Sequence, residues 1–261
     1  MKLIDSHCHL NFNAFKGDFL DVAKKAKEAG VARIIIPGSN IENSVSAIEM
    51  AEKLNFEFGE NVAFGGIGIH PVHVDEIGRF GEIEKLADKA VAVGECGFDF
   101  YHDKEKKTYA GQKILLQKHF DLAVKHSLPI IFHNRDADRE VLEFLDQQTK
   151  LPRIVFHCFS SNWRFAQQML EKGVFISFTG NITYGNKNLK KVIERAPLEK
   201  IMLETDAPYI VPEPFRSHEI KRNEPAYVVE VARKIAVIKG LDLKKVAEAT
   251  TQNAIDFFDL S

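Results

Sequence analysis

The sequence predicts an α/β fold, a (β/α)8 TIM barrel, formed by a single domain over residues 1–261. Short apolar runs alternate with longer amphipathic runs along the chain. There are eight apolar runs, spaced by roughly 30 residues, which is the spacing of the βα unit in a barrel of about 250 residues. The chain contains no Ser-, Gly- or Pro-rich linker that would divide it into two domains.

The eight predicted strands are rich in Val, Ile and Phe and largely lack polar alternation, as buried parallel strands do. They are Lys2–Asp5, Arg33–Pro37, Val62–Ile69, Val91–Glu95, Pro129–His133, Arg153–His157, Val174–Phe178 and Ile201–Thr205. The longest irregular stretches, Phe98–Tyr109 and Ala207–Glu224, both follow strands, so we expect both on the same rim of the barrel.

The amphipathic runs show the 3.6-residue period of helices, and some end at glycines. The predicted helix Phe19–Ala29 ends at Gly30, and Asn162–Lys172 ends at Gly173. The other helices that the pattern defines are Gln112–His126, Pro225–Lys239, Leu243–Ala249 and Gln252–Phe258. A doubly wound open sheet is the competing fold, but the first strand is not followed by the Gly-rich phosphate loop typical of that fold.

The formal net charge is −2, whereas a protein that coats nucleic acid is usually basic. A polyanionic substrate would therefore be held by local charges and metal. No apolar run approaches the roughly 18 residues that span a bilayer, and the N-terminus lacks the pattern of a signal peptide. We expect a cytoplasmic protein with no membrane partner, and nothing indicates an obligate protein partner. Three cysteines argue against a disulfide framework.

Six of the eight predicted strands carry His, Glu or Asp at their C-terminal ends, the end at which barrels assemble active sites. His7 and His9 are two residues apart on an extended segment, so their side chains point to the same side. Burying so many ionisable groups without a cation would be costly. The predicted metal ligands are His7, His9, Glu95, His133, His157 and Asp206.

Six ligands exceed the four positions of a tetrahedral zinc site, so they suit two ions better than one. We assign His7, His9, Glu95 and Asp206 to one ion, and Glu95, His133 and His157 to the other. Each of the three cysteines is adjacent to a predicted ligand in the sequence. Since neighbours on a strand point in opposite directions, we expect Cys8, Cys96 and Cys158 to face the helical layer as small apolar side chains.

These segments resemble the TatD family of metal-dependent deoxyribonucleases, within the amidohydrolase-like barrels, over essentially the whole chain. The motifs that carry the resemblance are Asp5–Leu10, Gly68–Pro71, Gly94–Tyr101, Phe132–Ala137, His157–Ser161, Leu203–Tyr209 and Arg222–Tyr227. The family's metal ligands fall on the same six residues, all of which are present. The chain departs at Phe98, where Leu is commoner, and at Ser161, where Gly is commoner.

The resemblance implies a metal-dependent deoxyribonuclease that hydrolyses phosphodiester bonds with water activated by two divalent cations, Mg²⁺, Mn²⁺ or Zn²⁺. The lack of overall positive charge favours action at strand ends or on single strands over tight binding of duplex DNA. We predict 3′→5′ exonuclease action on single-stranded or frayed DNA. Asp206 is the candidate that orients or deprotonates the water, unless it acts as a ligand only, and Glu95 bridges the ions. His70 and Arg135 are candidate contacts to phosphate, with His70 also facing the leaving group.

Two acidic residues have alternative interpretations. Glu204 lies two residues before Asp206 and could hold a ligand or a bound water from behind. Glu224 could reach the site from the long loop, although we favour the alternative in which Asn223 or Glu224 caps the helix that begins near Pro225.

Charged and aromatic residues near the predicted rim could guide and stack a DNA strand. The basic ones are Lys104, Lys106, Lys107, Lys187, Lys190, Lys191, Arg216, Lys221 and Arg222. The aromatic ones are Phe100, Tyr101, Tyr184, Tyr209 and Phe215. Other functions remain open at this stage: an esterase or deacylase, for example of D-aminoacyl-tRNA, another small-substrate hydrolase, a deaminase, or a non-catalytic binding protein.

Overall fold

Eight parallel strands form a barrel in a computed structural model that describes residues 1–260; Ser261, the last residue of the predicted domain, lies outside the described residues. The strands are β1 (Leu3–Asp5), β2 (Val31–Ile36), β3 (Ala63–Ile67), β4 (Ala92–Asp99), β5 (Ile130–Arg135), β6 (Ile154–Phe156), β7 (Phe175–Phe178) and β8 (Ile201–Leu203). They pair in chain order from β1 to β8. The N–H of Ser6 donates to the carbonyl of Leu203, which joins β8 back to β1. The TIM barrel is confirmed, and the doubly wound sheet is excluded.

The helices form the outer layer. They are α1 (Phe19–Glu28), α2 (Ile41–Phe58), α3 (Gly81–Glu84), α4 (Tyr109–His126), α5 (Asp138–Asp146), α6 (Trp163–Glu171), α7 (Lys187–Arg195), α8 (Val228–Lys239) and α9 (Leu243–Phe258). Gly30 and Gly173 follow α1 and α6 with positive φ, as the predicted helix ends require. Across residues 1–260, no helix is long and apolar enough to cross a membrane.

One prediction at the C-terminus is wrong: the two short helices expected there form the single helix α9. Thr250 and Thr251 lie at the predicted break, but neither residue stops a helix. The Thr250 hydroxyl donates to the carbonyl of Val246 at 2.8 Å, so its polar atom is satisfied within the helix. The last turn of α9 then carries Phe257 and Phe258 to the N-terminal end of the barrel.

A compact apolar cluster fills that end of the barrel interior. It joins residues from alternate positions of several strands to the end of α9, and every member is at most 3% exposed. Its members are Ile4, Ile35, Ala92, Ile131, Val155, Met202, Ala254, Phe257, Phe258 and Leu260. Because side chains alternate along a strand, residues two positions further toward the C-terminal end face the same interior. The cluster is therefore the floor on which the polar residues lie.

Candidate metal centre

Strand alternation positions three of the predicted ligands. His133 is two residues after Ile131 on β5, and His157 is two residues after Val155 of β6, so both imidazoles continue the column of interior side chains. Asp206 is four residues after Met202 and follows β8 with φ of 54°. A non-glycine residue rarely adopts this left-handed conformation, which marks a backbone that the surrounding structure holds in place.

Glu95 reaches the interior by a different route. The pairing of β4 with β5 shifts register between Val93 and Cys96, which places an extra residue on β4. This bulge reverses the alternation and turns Glu95 inward, while Cys96 packs in the outer apolar core. Gly97 follows with φ of 153°, and a Cβ there would lie 1.9 Å from the carbonyl oxygen of His133. Only glycine allows β4 to approach β5 so closely beside the site.

Four donor atoms converge at the first predicted ion position. His9 Nε2 lies 3.0 Å from Glu95 Oε1 and 3.5 Å from Asp206 Oδ1. His7 Nε2 lies 3.3 Å from Glu95 Oε1, 3.6 Å from Asp206 Oδ1 and 3.2 Å from His9 Nε2. Ligands about 2.1 Å from a tetrahedral ion are about 3.4 Å apart. The four atoms therefore fit a single first-row divalent cation.

Three donor atoms converge at the second position, on the other oxygen of Glu95. Glu95 Oε2 lies 3.2 Å from His157 Nε2 and 3.7 Å from His133 Nδ1, and the two imidazole nitrogens are 2.9 Å apart. Three protein donors leave a position open, as catalytic sites require. The arrangement brings all six predicted ligands into two sets, each using one Glu95 oxygen.

The electrostatics of the first set also fit a cation. Burial, with the nearby His157, lowers the pKa of His7 to about 4, so this imidazole is a neutral donor. Burial opposes ionisation of Glu95, but the surrounding imidazoles hold the pKa of its carboxyl well below the usual range. Burial also lowers the pKa of His9, yet Glu95 and Asp206 outweigh it and raise this pKa to about 10.

The sequence analysis missed Asp99 as a partner of the second set. Its carboxylate is fully buried and accepts from His133 Nε2 at 3.2 Å and from His102 Nδ1 at 2.8 Å. This contact fixes the tautomer of His133 that leaves Nδ1 free for an ion. The predicted end of the fourth strand at Glu95 hid this role, because β4 runs on to Asp99 and faces it inward.

A second missed carboxylate, Asp5, ties β1 to the segment after β8. It accepts from the Thr205 hydroxyl at 2.6 Å and the Thr205 N–H at 2.9 Å. Burial raises its pKa to about 7, although the Thr205 hydrogen bonds act in the opposite direction. This contact aligns the chain that carries His7 and His9 with the chain that carries Asp206. The signal for it was the LETD sequence, where a hydroxyl lies between two acidic residues.

Both predicted substrate contacts line the main cleft, which has a volume of about 630 Å³. The His70 ring lies 4.2 Å from the His133 ring, and Val72 N–H donates to its Nδ1 at 3.3 Å. Burial lowers the pKa of His70 well below its usual value. Arg135 is exposed and lies over the Tyr101 ring at 4.2 Å. Within residues 1–260 it has no carboxylate within 4.0 Å, so Arg135 forms no salt bridge there.

Glu204 lies behind His157, with its Oε1 3.9 Å from His157 Nδ1. Its direct partners are the N–H of Cys158 and the hydroxyl of Ser177, each at 2.5 Å. Burial raises the pKa of this carboxyl well above its usual value, although the Ser177 hydrogen bond acts against the rise. Glu204 thus fixes the turn after β6 rather than pointing at the donor sets.

The side chain of Glu224 takes neither of the two positions that were expected from the sequence. Its carboxylate accepts from Arg222 at 2.7 Å, and Arg222 also pairs with Asp18 next to α1. It neither lines the cleft nor caps the helical turn that begins at Pro225. The Arg222 guanidinium is a stronger partner for the carboxylate than a backbone N–H, and it draws the side chain away from the site.

Cys8 and Cys96 are fully buried in the outer apolar core, as predicted. Cys158 is different, because its φ of 45° rotates the residue out of the strand pattern. Its sulfur lies 3.6 Å from the Thr179 hydroxyl, and the residue lines a side lobe of the cleft. The prediction that Cys158 faces the helical layer is wrong.

Several rim residues are less available than the sequence suggested. Phe100 is buried, and Phe215 stacks on Tyr227 with ring centres 3.9 Å apart. Five of the predicted basic residues pair with carboxylates: Lys106, Lys107, Lys190, Arg216 and Arg222. The exposed rim aromatics are Tyr101, Tyr184 and Tyr209.

The family model described as TatD related DNase matches residues 4–259. The chain belongs to this family. A Bacillus subtilis protein named uncharacterized metal-dependent hydrolase YabD is 34% identical over 99% of this chain and 100% of its own length. An Erwinia tasmaniensis protein named 3′-5′ ssDNA/RNA exonuclease TatD is 31% identical, over 99% of this chain and 100% of its own.

The same family accounts for the fold. The crystal structure of YJJV, a TatD homolog from Escherichia coli, superposes with a TM-score of 0.89 at 28% identity and covers 99% of this chain and 98% of its own. The TatD resemblance stated from the motifs is confirmed, and the chain is a metal-dependent hydrolase of the TatD family. Its clusters of His, Glu and Asp are the residues that could hold metal.

Proposed function

We propose that this chain hydrolyses phosphodiester bonds as a 3′→5′ exonuclease on single-stranded or frayed DNA. The observation that carries the proposal is the pair of donor sets on opposite oxygens of Glu95. When bound, two divalent cations at these sets would supply an activated water and neutralise charge on the phosphate. The imidazole-rich donors favour Zn²⁺ over Mg²⁺, with Mn²⁺ between them.

The residues around the donor sets have separate roles in this proposal. Burial opposes ionisation of Asp206, but His9 and His7 lower its pKa, so its carboxylate is ionised and able to orient the attacking water. Arg135 is a free cation in the cleft, and its guanidinium matches two phosphate oxygens. His70 is held in the cleft beside His133, where it contacts the phosphate or the leaving oxygen.

The charge distribution supports action on single strands or strand ends, and the names of some relatives support the 3′→5′ direction. The exposed cations of the cleft are few, and most rim lysines and arginines already pair with carboxylates, so the chain lacks a broad surface for duplex DNA. A strand end needs less electrostatic binding than an internal duplex site. The relatives named 3′-5′ ssDNA/RNA exonucleases agree with this direction.

The test is digestion of 5′-labelled linear single-stranded DNA by enzyme that has been stripped with chelator and reloaded with one metal at a time. We expect a ladder that shortens from the 3′ end and disappears with His7→Ala. His126→Ala is the matched control, because that histidine lies on α4 and pairs only with Asp88. Circular single-stranded DNA cut as fast as linear DNA would contradict exonuclease action.

An ester hydrolase, such as a deacylase of D-aminoacyl-tRNA, is the alternative function. The donor sets would activate water for a carboxylic ester as well as for a phosphodiester. The name of the Bacillus subtilis relative states no substrate. The unpaired Arg135 favours phosphate, and a panel containing both ester types decides. Turnover of the aminoacyl ester with no loss of DNA label would replace the proposed function.

A further inference from the structure

A side lobe of the cleft opens beside the donor sets. It is distinguished from the main cleft by Asn134, Cys158, Ser160 and Asn181. The two cavities share five lining residues: His133, Arg135, His157, Asp206 and Ile210. The volume of the side lobe is about 220 Å³, below the roughly 300–1,000 Å³ of pockets that hold drug-sized ligands. The lobe is therefore sized for one sugar or one base, not for a stretch of strand.

Two amide oxygens at the lobe have no hydrogen-bond donor. Asn134 Nδ2 donates to Asp138 Oδ1 at 2.7 Å, which fixes the orientation of that amide and leaves its buried Oδ1 without a partner. Asn181 directs its Nδ2 toward Cys158 Sγ at 3.9 Å, and its buried Oδ1 is also without a partner. Unpaired buried acceptors are rare and costly, so they point to donors that a ligand supplies.

The lobe is complementary to a neutral hydrogen-bond donor that is attached to an anionic group. The amide oxygens of Asn134 and Asn181 are uncharged hydrogen-bond acceptors. Arg135 is the cation at the mouth of the lobe, where the lobe meets the main cleft. A sugar hydroxyl joined to a phosphate matches both features.

The backbone around the lobe is held in an unusual conformation. Cys158, Asp206 and Ile210 line it, and all three have φ between 45° and 54°. This region is rare for any residue with a Cβ and especially for β-branched isoleucine. Asn223 Nδ2 donates to the carbonyls of Thr205 and Ile210 and so holds this segment in place. Strain of this kind accumulates where a protein shapes a binding surface.

We infer that the side lobe binds the terminal sugar of the strand, with the amide oxygen of Asn181 accepting the hydrogen bond of its free 3′-hydroxyl. The inference rests on the proposed function and names the group that would make the enzyme act at 3′ ends. Arg135 then contacts the phosphate between the terminal nucleoside and the rest of the strand. Water adds to that phosphorus, the bond to the 3′-oxygen of the preceding nucleotide breaks, and that oxygen takes up a proton.

The first test uses the wild-type enzyme, loaded with metal, and three versions of one 5′-labelled oligonucleotide. The versions end in a 3′-hydroxyl, in a 2′,3′-dideoxynucleotide and in a 3′-phosphate. We expect kcat/KM to fall about tenfold or more when the hydroxyl is removed, because its loss leaves a buried acceptor unpaired. The 3′-phosphate should be rejected at least as strongly. Equal rates on the hydroxyl and dideoxy ends would overturn the inference.

The second test asks whether Asn181 carries that discrimination. Asn181→Leu keeps the bulk of the side chain and removes its polar atoms, so the ratio of the two rates should fall to about twofold. Asn11→Leu is the matched control, since Asn11 also has a buried Oδ1 without a partner but does not line the lobe. A wild-type ratio in Asn181→Leu, or a lost ratio in Asn11→Leu, would count against the assignment.

Hydrolysis of bis(p-nitrophenyl) phosphate separates the two proposals. This diester has no nucleoside, so it reports phosphodiester chemistry without the lobe. If wild-type enzyme cleaves it and yet treats all three DNA ends alike, the lobe assignment fails and the proposed function stands. If wild-type enzyme cleaves neither the diester nor any DNA, the proposed function fails and the lobe assignment fails with it.

Discussion

The two ends of the barrel interior differ within two residues of the same strand. On β5, Ile131 belongs to the apolar floor and His133 belongs to the second donor set. On β6, the same step leads from Val155 to His157. The apolar side chains of the floor pack against one another and leave no polar side-chain group of the floor without a partner. The upper end instead gathers imidazole nitrogens and carboxylate oxygens, a donor set that a divalent cation would complete.

This difference separates the source of stability from the source of activity. Substitutions in the floor should change unfolding and leave the chemistry of the folded fraction unchanged. Substitutions among the donor sets should do the reverse. The comparison is supported if substitutions among the donor sets lower activity without lowering stability. It also requires that substitutions in the apolar floor lower stability without lowering the activity of the folded fraction.

The largest effect is expected for Glu95→Gln. The substitution removes the carboxylate whose two oxygens each lie close to a different donor set, so we expect kcat/KM to fall about 10³–10⁴-fold, or about 4–5.5 kcal/mol. Metal analysis of the same sample should show that most of the bound metal has been lost. Glu143→Gln, an exposed change on α5, is the control. Activity within tenfold of wild type would contradict the claim that the donor sets carry the activity.

Phe257→Ala tests the floor. The ring is fully buried against Phe175 and Phe258, so its removal should cost about 3–5 kcal/mol in the free energy of unfolding measured with urea. The folded fraction should keep its kcat/KM within about twofold. Phe56→Ala is the matched control, since that ring is 85% exposed on α2. A loss of turnover as large as that of Glu95→Gln would show that the two ends are not separate.

Asp99→Asn tests whether a residue that contacts a ligand, but is not itself a ligand, contributes to metal binding. The amide would still reach His133 Nε2 but would lack the charge that fixes the donor tautomer. We expect metal affinity or kcat/KM to fall about 10–100-fold. Asp121→Asn on the exposed face of α4 is the control. An unchanged metal titration would mean that Asp99 does not support the ligands and only holds the loop that contains His102.

His119→Gln tests a pH effect outside the donor sets. Its Nε2 accepts the N–H of Ile69 at 3.0 Å, and burial lowers its pKa to about 4, against about 6.5 in an unfolded chain. Because the unfolded chain binds the proton first, stability is complete above pH 6.5 and is lost as pH falls toward 4. At pH 5 the cost is about 2 kcal/mol.

The measurement is the change in unfolding free energy between pH 7 and pH 5. Wild type should lose about 2 kcal/mol more than His119→Gln, which has no proton to gain. His126→Gln on the same helix should behave like wild type. An equal loss in all three proteins would mean that His119 is protonated without cost in the folded state.

The sequence could predict the barrel because its signals are local. Eight apolar runs at regular spacing require eight strands, and alternation then places His133, His157 and Asp206 at one end. Glu95 was predicted from its position at a strand end, but the bulge that turns it inward is set by the pairing with β5. Pairing geometry is not visible in a single sequence.

The remaining errors have the same origin in tertiary contacts. Glu224 has a helix start beside it in the sequence, yet Arg222 and Asp18 decide where its carboxylate goes. Cys158 follows a strand, yet Glu204 accepts its N–H and holds the backbone at positive φ. Glu224 pairs with its near neighbour Arg222, which the distant Asp18 holds in place, and Cys158 is held by the distant Glu204. Only the folded chain shows these contacts.

Metal titration of the chelator-stripped enzyme tests the central claim most directly. We expect two equivalents of Zn²⁺ or Mn²⁺ to bind per chain, with hydrolysis of linear single-stranded DNA rising until the second equivalent is bound. Glu95→Gln, measured in parallel, should bind far less at the same metal concentration. Full activity with less than one equivalent per chain would contradict the shared two-ion site.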